Sequence, residues 1–302
     1  MKILCLDGGG VRGLISLRFL AELEQTTGQT IPELFDFFGG TSIGAIIVSL
    51  FAYKKYSAKI ILEQILTRDK LLRICPESLL DSVFGVVQFQ PKYQNSQLKT
   101  VLEELLGTVR LSETDKKVMI TGFDLEKHRP IFFKNYFDSK DGDTLVSDIC
   151  TVSASAPLYF APHYLVGRNL WGIDGGMANN NPSDGAIIDA ISLCNGKIDL
   201  LSVGTGYSHS VIDASSSPDW GLLDWVTKGK LIDLMMGGSI DSSDYRARSL
   251  CKALNHRYVR IQHAIPENNL VMDNFSIDNL DQLQQIALDW WTLDKQRVVE
   301  TF

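Results

Sequence analysis

The sequence predicts an α/β fold, with a sheet sandwiched between helix layers, on two observations. A strand, turn and helix pattern occurs twice within the first 53 residues, and strand and helix patterns keep alternating down the rest of the chain.

Lys2 to Leu6 is a short apolar run that ends in Asp7 and three glycines, after which Leu14, Leu17, Leu20, Ala21 and Leu23 repeat at helical spacing. Leu34 to Phe38 reads as a second strand closed by Gly39 and Gly40, and Ile43 to Tyr53 as a buried helix. Further helices are expected at Ser57 to Leu66, Ser96 to Leu106, Leu145 to Ser155, Ser183 to Leu193 and Asn279 to Trp291. Strands are expected at Lys117 to Phe123, Pro130 to Phe137, Tyr164 to Ile173, Ile198 to Gly204 and His256 to Gln262. Nothing reads as a linker, so residues 1–302 are expected to form a single domain. Regular patterning is poorest at Pro76 to Asn95 and Tyr207 to Trp220, and the regions 76–95 and 207–245 are expected to act as loops or lids.

The balance of 29 Lys and Arg against 36 Asp and Glu gives a net charge of -7, which argues against general attraction to nucleic acid or an anionic membrane. Contact with either must be local. The N-terminus shows no secretory signal pattern, and the most apolar run, Gly44 to Tyr53, is about half as long as the roughly 20 residues of a membrane span. The expectation is a soluble, cytoplasmic protein with peripheral membrane contact at most. Cys5, Cys75, Cys150, Cys194 and Cys251 are scattered and odd in number, which predicts reduced, mostly buried thiols and no structural zinc.

Gly40-Thr41-Ser42-Ile43-Gly44 fits G-x-S-x-G between an apolar strand and an apolar helix, where the two glycines allow a sharp turn that exposes the Ser42 hydroxyl. Ser42 is thus a candidate nucleophile, with a simple helix N-cap as the plainer reading. Asp7-Gly8-Gly9-Gly10-Val11-Arg12-Gly13 offers several unobstructed amides before a helix, the arrangement that binds an oxyanion or a phosphate. Gly8, Gly10 and Gly13 also satisfy G-x-G-x-x-G, so a nucleotide-binding module is an alternative; that motif expects an acidic residue after the second strand, which ends here in the serine turn. A serine needs a base, and none of His128, His163, His209, His256 and His263 sits in a recognisable motif. Asp174, at the end of the apolar run Leu170 to Ile173 and before Gly175 and Gly176, is another candidate, although Asp-Gly is also a common turn.

The order of glycine loop, serine elbow and Asp-Gly-Gly resembles the patatin-like phospholipases. Ser153-Ala154-Ser155-Ala156-Pro157, Phe160-Ala161-Pro162, Asn179-Asn180-Asn181-Pro182 and the stretch Gly122 to Asn135 are similar to further segments of that family. The resemblance implies a three-layer α/β/α fold with a central, mostly parallel sheet and a serine nucleophile elbow. It further implies a lipid acyl hydrolase of the phospholipase A or lysophospholipase type with a Ser42–Asp174 dyad. Ser42 would attack the ester, Asp174 would accept its proton, the amides of Gly8, Gly9 and Gly10 would hold the oxyanion, and Arg12 would brace the loop. Gly13, Gly40, Gly44, Gly175 and Gly176 would support these groups. No cofactor or metal is expected. An acyl-transfer or non-phospholipid esterase activity on the same dyad is a further alternative.

The implied partners are a phospholipid or lysophospholipid substrate and a transient membrane surface, without nucleic acid. Short patatin-like enzymes also resemble bacterial effectors, so a nucleotide or protein activator is an expectation. Leu222 to Met236 reads as an amphipathic stretch, more often core than membrane-facing. Arg246, Arg248, Lys252, Arg257 and Arg260 form a local basic cluster, read either as headgroup-binding or as a solvated helix face. Trp290 and Trp291 are expected to anchor the last helix.

Overall fold

The computed structural model describes residues 1–76, 90–137, 139–208, 214–221, 224–225 and 231–302, so parts of both expected lid regions and His209 lie outside the described residues. Strand β1 (Lys2–Leu6) leads through a tight turn at Gly10–Arg12 into α1 (Gly13–Thr27). A capping box between Thr30 and Glu33 starts the short α2 (Ile31–Leu34). Leu34 therefore closes a helical turn instead of opening the second strand, and β2 is confined to Phe37–Gly40.

The buried α3 (Ile43–Lys54) follows, then α4 (Ala58–Ile60), which widens into a π-helical turn at Ile61–Ile65, and α5 (Arg68–Ile74) and α6 (Asn95–Leu106). The hairpin β3 (Lys117–Asp124) and β4 (Arg129–Lys134) precedes α7 (Val146–Ser153). The expected single strand Tyr164 to Ile173 is instead a hairpin, β5 (His163–Leu165) and β6 (Leu170–Asp174). Asn169, at φ 47°, reverses the chain between them, the left-handed conformation that asparagine tolerates well. Then come α8 (Gly176–Asn179), α9 (Ser183–Leu193), β7 (Asp199–Val203), α10 (Leu231–Ala253), β8 (Arg257–Ile261) and α11 (Ile277–Val299). The 207–245 region therefore ends inside a 23-residue helix.

The eight strands among the described residues form one mixed sheet flanked by helices. Pairing is parallel through β3, β2, β1, β7 and β8, and antiparallel where β4, β6 and β5 join. Strand alternation sends Leu4 and Leu6 to one face and Ile3 and Cys5 to the other. The first face packs against α1, α3, α6, α7 and α11, with Phe19 meeting Trp291 edge-on at 5.2 Å; Trp290 and Trp291 are buried as expected. The second is covered by α9 and α10 through Ala186, Ile187, Ala190, Ala247 and Cys251. All five cysteines are free thiols, and four are buried. No helix among the described residues is long and apolar enough to cross a membrane.

One detail of register positions the site. β4 pairs with β3 over residues 119–124, while β2 takes 117–120 and β6 takes 122–124. A strand has only two edges, so β2 and β6 must share the edge opposite β4. They approach along it from opposite directions: Gly40 ends β2 beside Ile120, and Asp174 ends β6 beside Gly122. Two chain ends thus converge across Thr121.

Candidate active site

Ser42 follows β2 and heads α3 with φ 55° and ψ −123°, a conformation costly for a residue with a Cβ and one that strand-to-helix elbows use to present a side chain. Its surroundings hold it there. The Ser42 amide donates to Ser153 Oγ at 2.9 Å, the Thr41 amide donates to Leu6 O at 3.2 Å, and the Ser42 carbonyl accepts from the Ile46 amide at 3.2 Å. Gly44 lets α3 lie directly against β1, since a Cβ there would stand 2.4 Å from Leu6 O. Gly40 occupies an equally tight place inside the turn, against Ala45.

Asp174 meets Ser42 from the opposing strand end. Its carboxylate accepts a hydrogen bond from the Gly176 amide at 2.7 Å and lines the same pocket as Ser42. Burial pushes the carboxyl up to about 6, and the Gly176 amide and the nearby Ser42 side chain offset only part of that shift. The carboxylate is thus a stronger base than a solvated one while still ionised at neutral pH. Gly175 packs against Thr121, beneath the junction of the two strand ends.

The glycine loop lies against Ser42, since a Cβ on Gly8 would stand 3.0 Å from Ser42 Cβ. Gly10, at φ 59°, needs the left-handed conformation and leaves no room for a side chain, because a Cβ would meet Met272 O at 2.3 Å. The loop is fastened from several sides. The Val11 amide donates to Met272 O (2.8 Å), Thr205 Oγ1 donates to Gly8 O (2.8 Å), and Arg12 Nε and Nη1 donate to Gly9 O (3.2 Å) and Gly206 O (3.3 Å). Gly13 fits against Ile43 at the start of α3. The Gly8 amide donates to Asn180 O at 3.3 Å, whereas the amides of Gly9 and Gly10 meet no protein acceptor among the described residues.

Behind the loop, Asp7 and Arg260 form a buried two-point ion pair, with Nη1 to Oδ1 at 2.8 Å and Nη2 to Oδ2 at 2.5 Å. Arg260 therefore does not belong to a solvated face. The expected basic cluster is divided between α10 and β8 and largely neutralised: Arg246 pairs with Asp184, Arg248 with Asp244 and Arg257 with Asp199.

Ser42, Asp174, Gly9 and Gly10 open onto one pocket with about 710 Å³ of empty space, partly continuous with solvent. Its walls are apolar: Ile43 and Ile46 of α3, Leu71 and Ile74 of α5, Leu98 of α6, and Phe160, Met236 and Phe275 from surrounding segments. Among the described residues, no histidine lines it. His128 lies exposed in the turn between β3 and β4, His163 sits 3.4 Å from Asp148, His256 Nδ1 accepts from the Ile198 amide, and His263 bonds to Asp294 at 2.6 Å. Among the described residues, no group of three or more His, Cys, Asp or Glu side chains is arranged to hold a metal ion. Sequence reasoning identified neither Ser153 as the partner of the Ser42 amide nor Thr121 as the bridge beneath the two strand ends. Both contacts join segments far apart in the chain and carry no local signal.

The chain resembles a solved human GIVD cytosolic phospholipase A2 in complex with methyl gamma-linolenyl fluorophosphonate at a TM-score of 0.47 and 10% identity, covering 100% of this chain and 58% of that one. In sequence it is 30% identical to patatin-like protein 1 of Arabidopsis thaliana over 95% of this chain and 80% of that protein. It is 28% identical to the probable inactive patatin-3-Kuras 1 of Solanum tuberosum over 95% of this chain and 85% of that protein. Residues 4–187, which span the glycine loop, the elbow and Asp174, match the pattern of the patatin-like phospholipases, and the chain is a member of that family.

Proposed function

We propose that this chain is a lipid acyl hydrolase of the phospholipase A or lysophospholipase type, working through a Ser42 acyl-enzyme with Asp174 as the base. Family membership supports a lipid hydrolase in general; because one relative is named as probably inactive, the case for activity rests on the site. The observation that carries it is a serine on a strained strand-to-helix turn sharing an apolar pocket with a buried carboxylate, a pocket lined by no histidine among the described residues.

In the first step Ser42 Oγ attacks the ester carbonyl as its proton passes to Asp174, and the loop amides, Gly9 and Gly10 foremost, receive the charge that develops on the carbonyl oxygen. The tetrahedral adduct expels the alcohol, which takes the proton from Asp174, and leaves the acyl group on Ser42. Water then attacks that ester, Asp174 takes the water's proton, and the C–O bond to Ser42 breaks. Ser42 recovers the proton and the fatty acid departs. The apolar walls receive the acyl chain, and a lipid surface supplies it by transient contact.

The test is fatty-acid release from mixed phospholipid vesicles by wild type, Ser42→Ala and Asp174→Asn, paired with labelling by a fluorophosphonate. Release by wild type alone, with Ser42→Ala unlabelled, is the expected result. Equal behaviour of wild type and Ser42→Ala would defeat the reading. A wild type that labels but releases nothing would direct attention to a nucleotide or protein activator.

A further inference from the structure

Among the described residues, the pocket is lined by one charged group that Ser42 and Asp174 leave unused. Asp273 lines it, nearly buried, with 8% of its side chain exposed. It lies next to Met272, whose carbonyl holds the Val11 amide, so it belongs to the glycine-loop end of the pocket. Both of its side-chain contacts fall on one oxygen: Lys92 Nζ and Tyr93 Oη each donate to Oδ2 at 2.7 Å. Oδ1 has no donor among the described residues. Tyr93 is fixed in turn, its amide donating to Tyr159 O at 2.8 Å and its ring packing against Phe160 at 5.6 Å.

A carboxylate along an acyl-chain wall is a cost unless a polar part of the substrate meets it. Lys92 neutralises the charge and fixes the group's orientation, and the oxygen left over is a pure acceptor. Building on the hydrolase reading, we infer that Asp273 is a specificity-determining residue that accepts a hydrogen bond from a free hydroxyl beside the scissile ester. The preferred substrates are thus monoacyl lipids, lysophospholipids or monoacylglycerols, whose second glycerol oxygen carries a hydrogen. A site built to bind a hydroxyl discriminates against an analogue that lacks it, because its own acceptor is then left unpaired.

The experiment compares fatty-acid release from 1-oleoyl-lysophosphatidylcholine, from its 2-O-methyl analogue and from 1-oleoylglycerol by wild type, Asp273→Leu and Asp273→Asn. Wild type is expected to prefer the free-hydroxyl lysophospholipid over the O-methyl analogue by about 10- to 100-fold, the range for a hydrogen bond to a charged acceptor. Asp273→Leu should lose that preference by slowing only the hydroxyl-bearing substrates, and Asp273→Asn, which keeps an oxygen acceptor, should retain part of it. Because the readout is a ratio, general damage to the glycine loop cancels. Wild-type release without discrimination, or an Asp273→Leu variant that slows both lysophospholipids equally, overturns this inference alone. No release by wild type from any of the three esters overturns the hydrolase reading with it. Fast release from 1-oleoylglycerol would identify the hydroxyl, and not the phosphate headgroup, as the recognised feature.

Discussion

Thr121 donates its hydroxyl hydrogen to Thr41 Oγ1 at 2.7 Å, and Thr41 donates onward to Asn179 O at 2.9 Å. This relay crosses the gap where β2 and β6 end against each other, so it ties the residue before Ser42 to the segment after Asp174. Thr121→Val keeps the shape and removes the donor. Its buried position makes a loss of about 1–2 kcal/mol of stability the expected outcome in denaturant unfolding. If the relay sets the approach of Ser42 to Asp174, kcat should fall roughly tenfold, about 1.4 kcal/mol of barrier, with KM little changed. A variant with the stability loss but an unchanged kcat would show that the dyad geometry does not depend on the bridge.

Asp7 and Arg260 join the first and last parallel strands of the chain order immediately before the glycine loop begins. Arg260→Met leaves Asp7 buried without its countercharge, and breaking such a pair costs about 3–5 kcal/mol. Asp7→Asn combined with Arg260→Met removes both charges and should recover most of that loss. Thermal melts of wild type, single and double variants make the comparison. Equal destabilisation by single and double variants would contradict the pairing argument.

Legibility followed the range of each interaction. The Gly8–Gly13 loop, the Ser42 elbow and the Asp174 turn are local patterns, and each sits at the end of the strand that the sequence predicts. The hairpin inside Tyr164 to Ile173 was hidden because Val166 and Leu170 continue the apolar character through a turn made by Asn169. Leu34 carries an apolar side chain that suits a strand and a helix equally, and the Thr30 to Glu33 capping box decides for the helix. The ion-pairing of Arg260 with Asp7 spans 253 residues and leaves no trace in spacing.

Ile46 follows Ile43 down the pocket wall on α3, one helical turn farther from Ser42. Ile46→Phe should fill part of the acyl space while leaving Ser42 untouched. Hydrolysis of long-chain p-nitrophenyl esters should fall about 10- to 100-fold relative to short-chain ones, since a few methylenes in an apolar pocket carry about 1–3 kcal/mol. A uniform drop across chain lengths would place the acyl chain elsewhere.

Under the proposed mechanism, Asp174 sets the pH behaviour. Burial raises its carboxyl to about 6 from an ordinary 3.8, and only the ionised form can accept the Ser42 proton. kcat/KM should therefore rise tenfold per pH unit below about 6 and level off above it. The same shift acts on stability with a definite sign. The folded state binds the Asp174 proton more tightly than the unfolded chain does, so the ionised group costs stability at neutral pH. That cost fades as pH falls from 6 towards 3.8. Two pH units correspond to about 3 kcal/mol. Asp174→Asn, which keeps the acceptor for the Gly176 amide without the charge, should thus be inactive and more stable than wild type at pH 7 by about 1–3 kcal/mol. The advantage should shrink to near zero at pH 4. Urea unfolding of both proteins at the two pH values measures it, and an Asp174→Asn variant less stable at pH 7 would show that the carboxylate is stabilised in the fold.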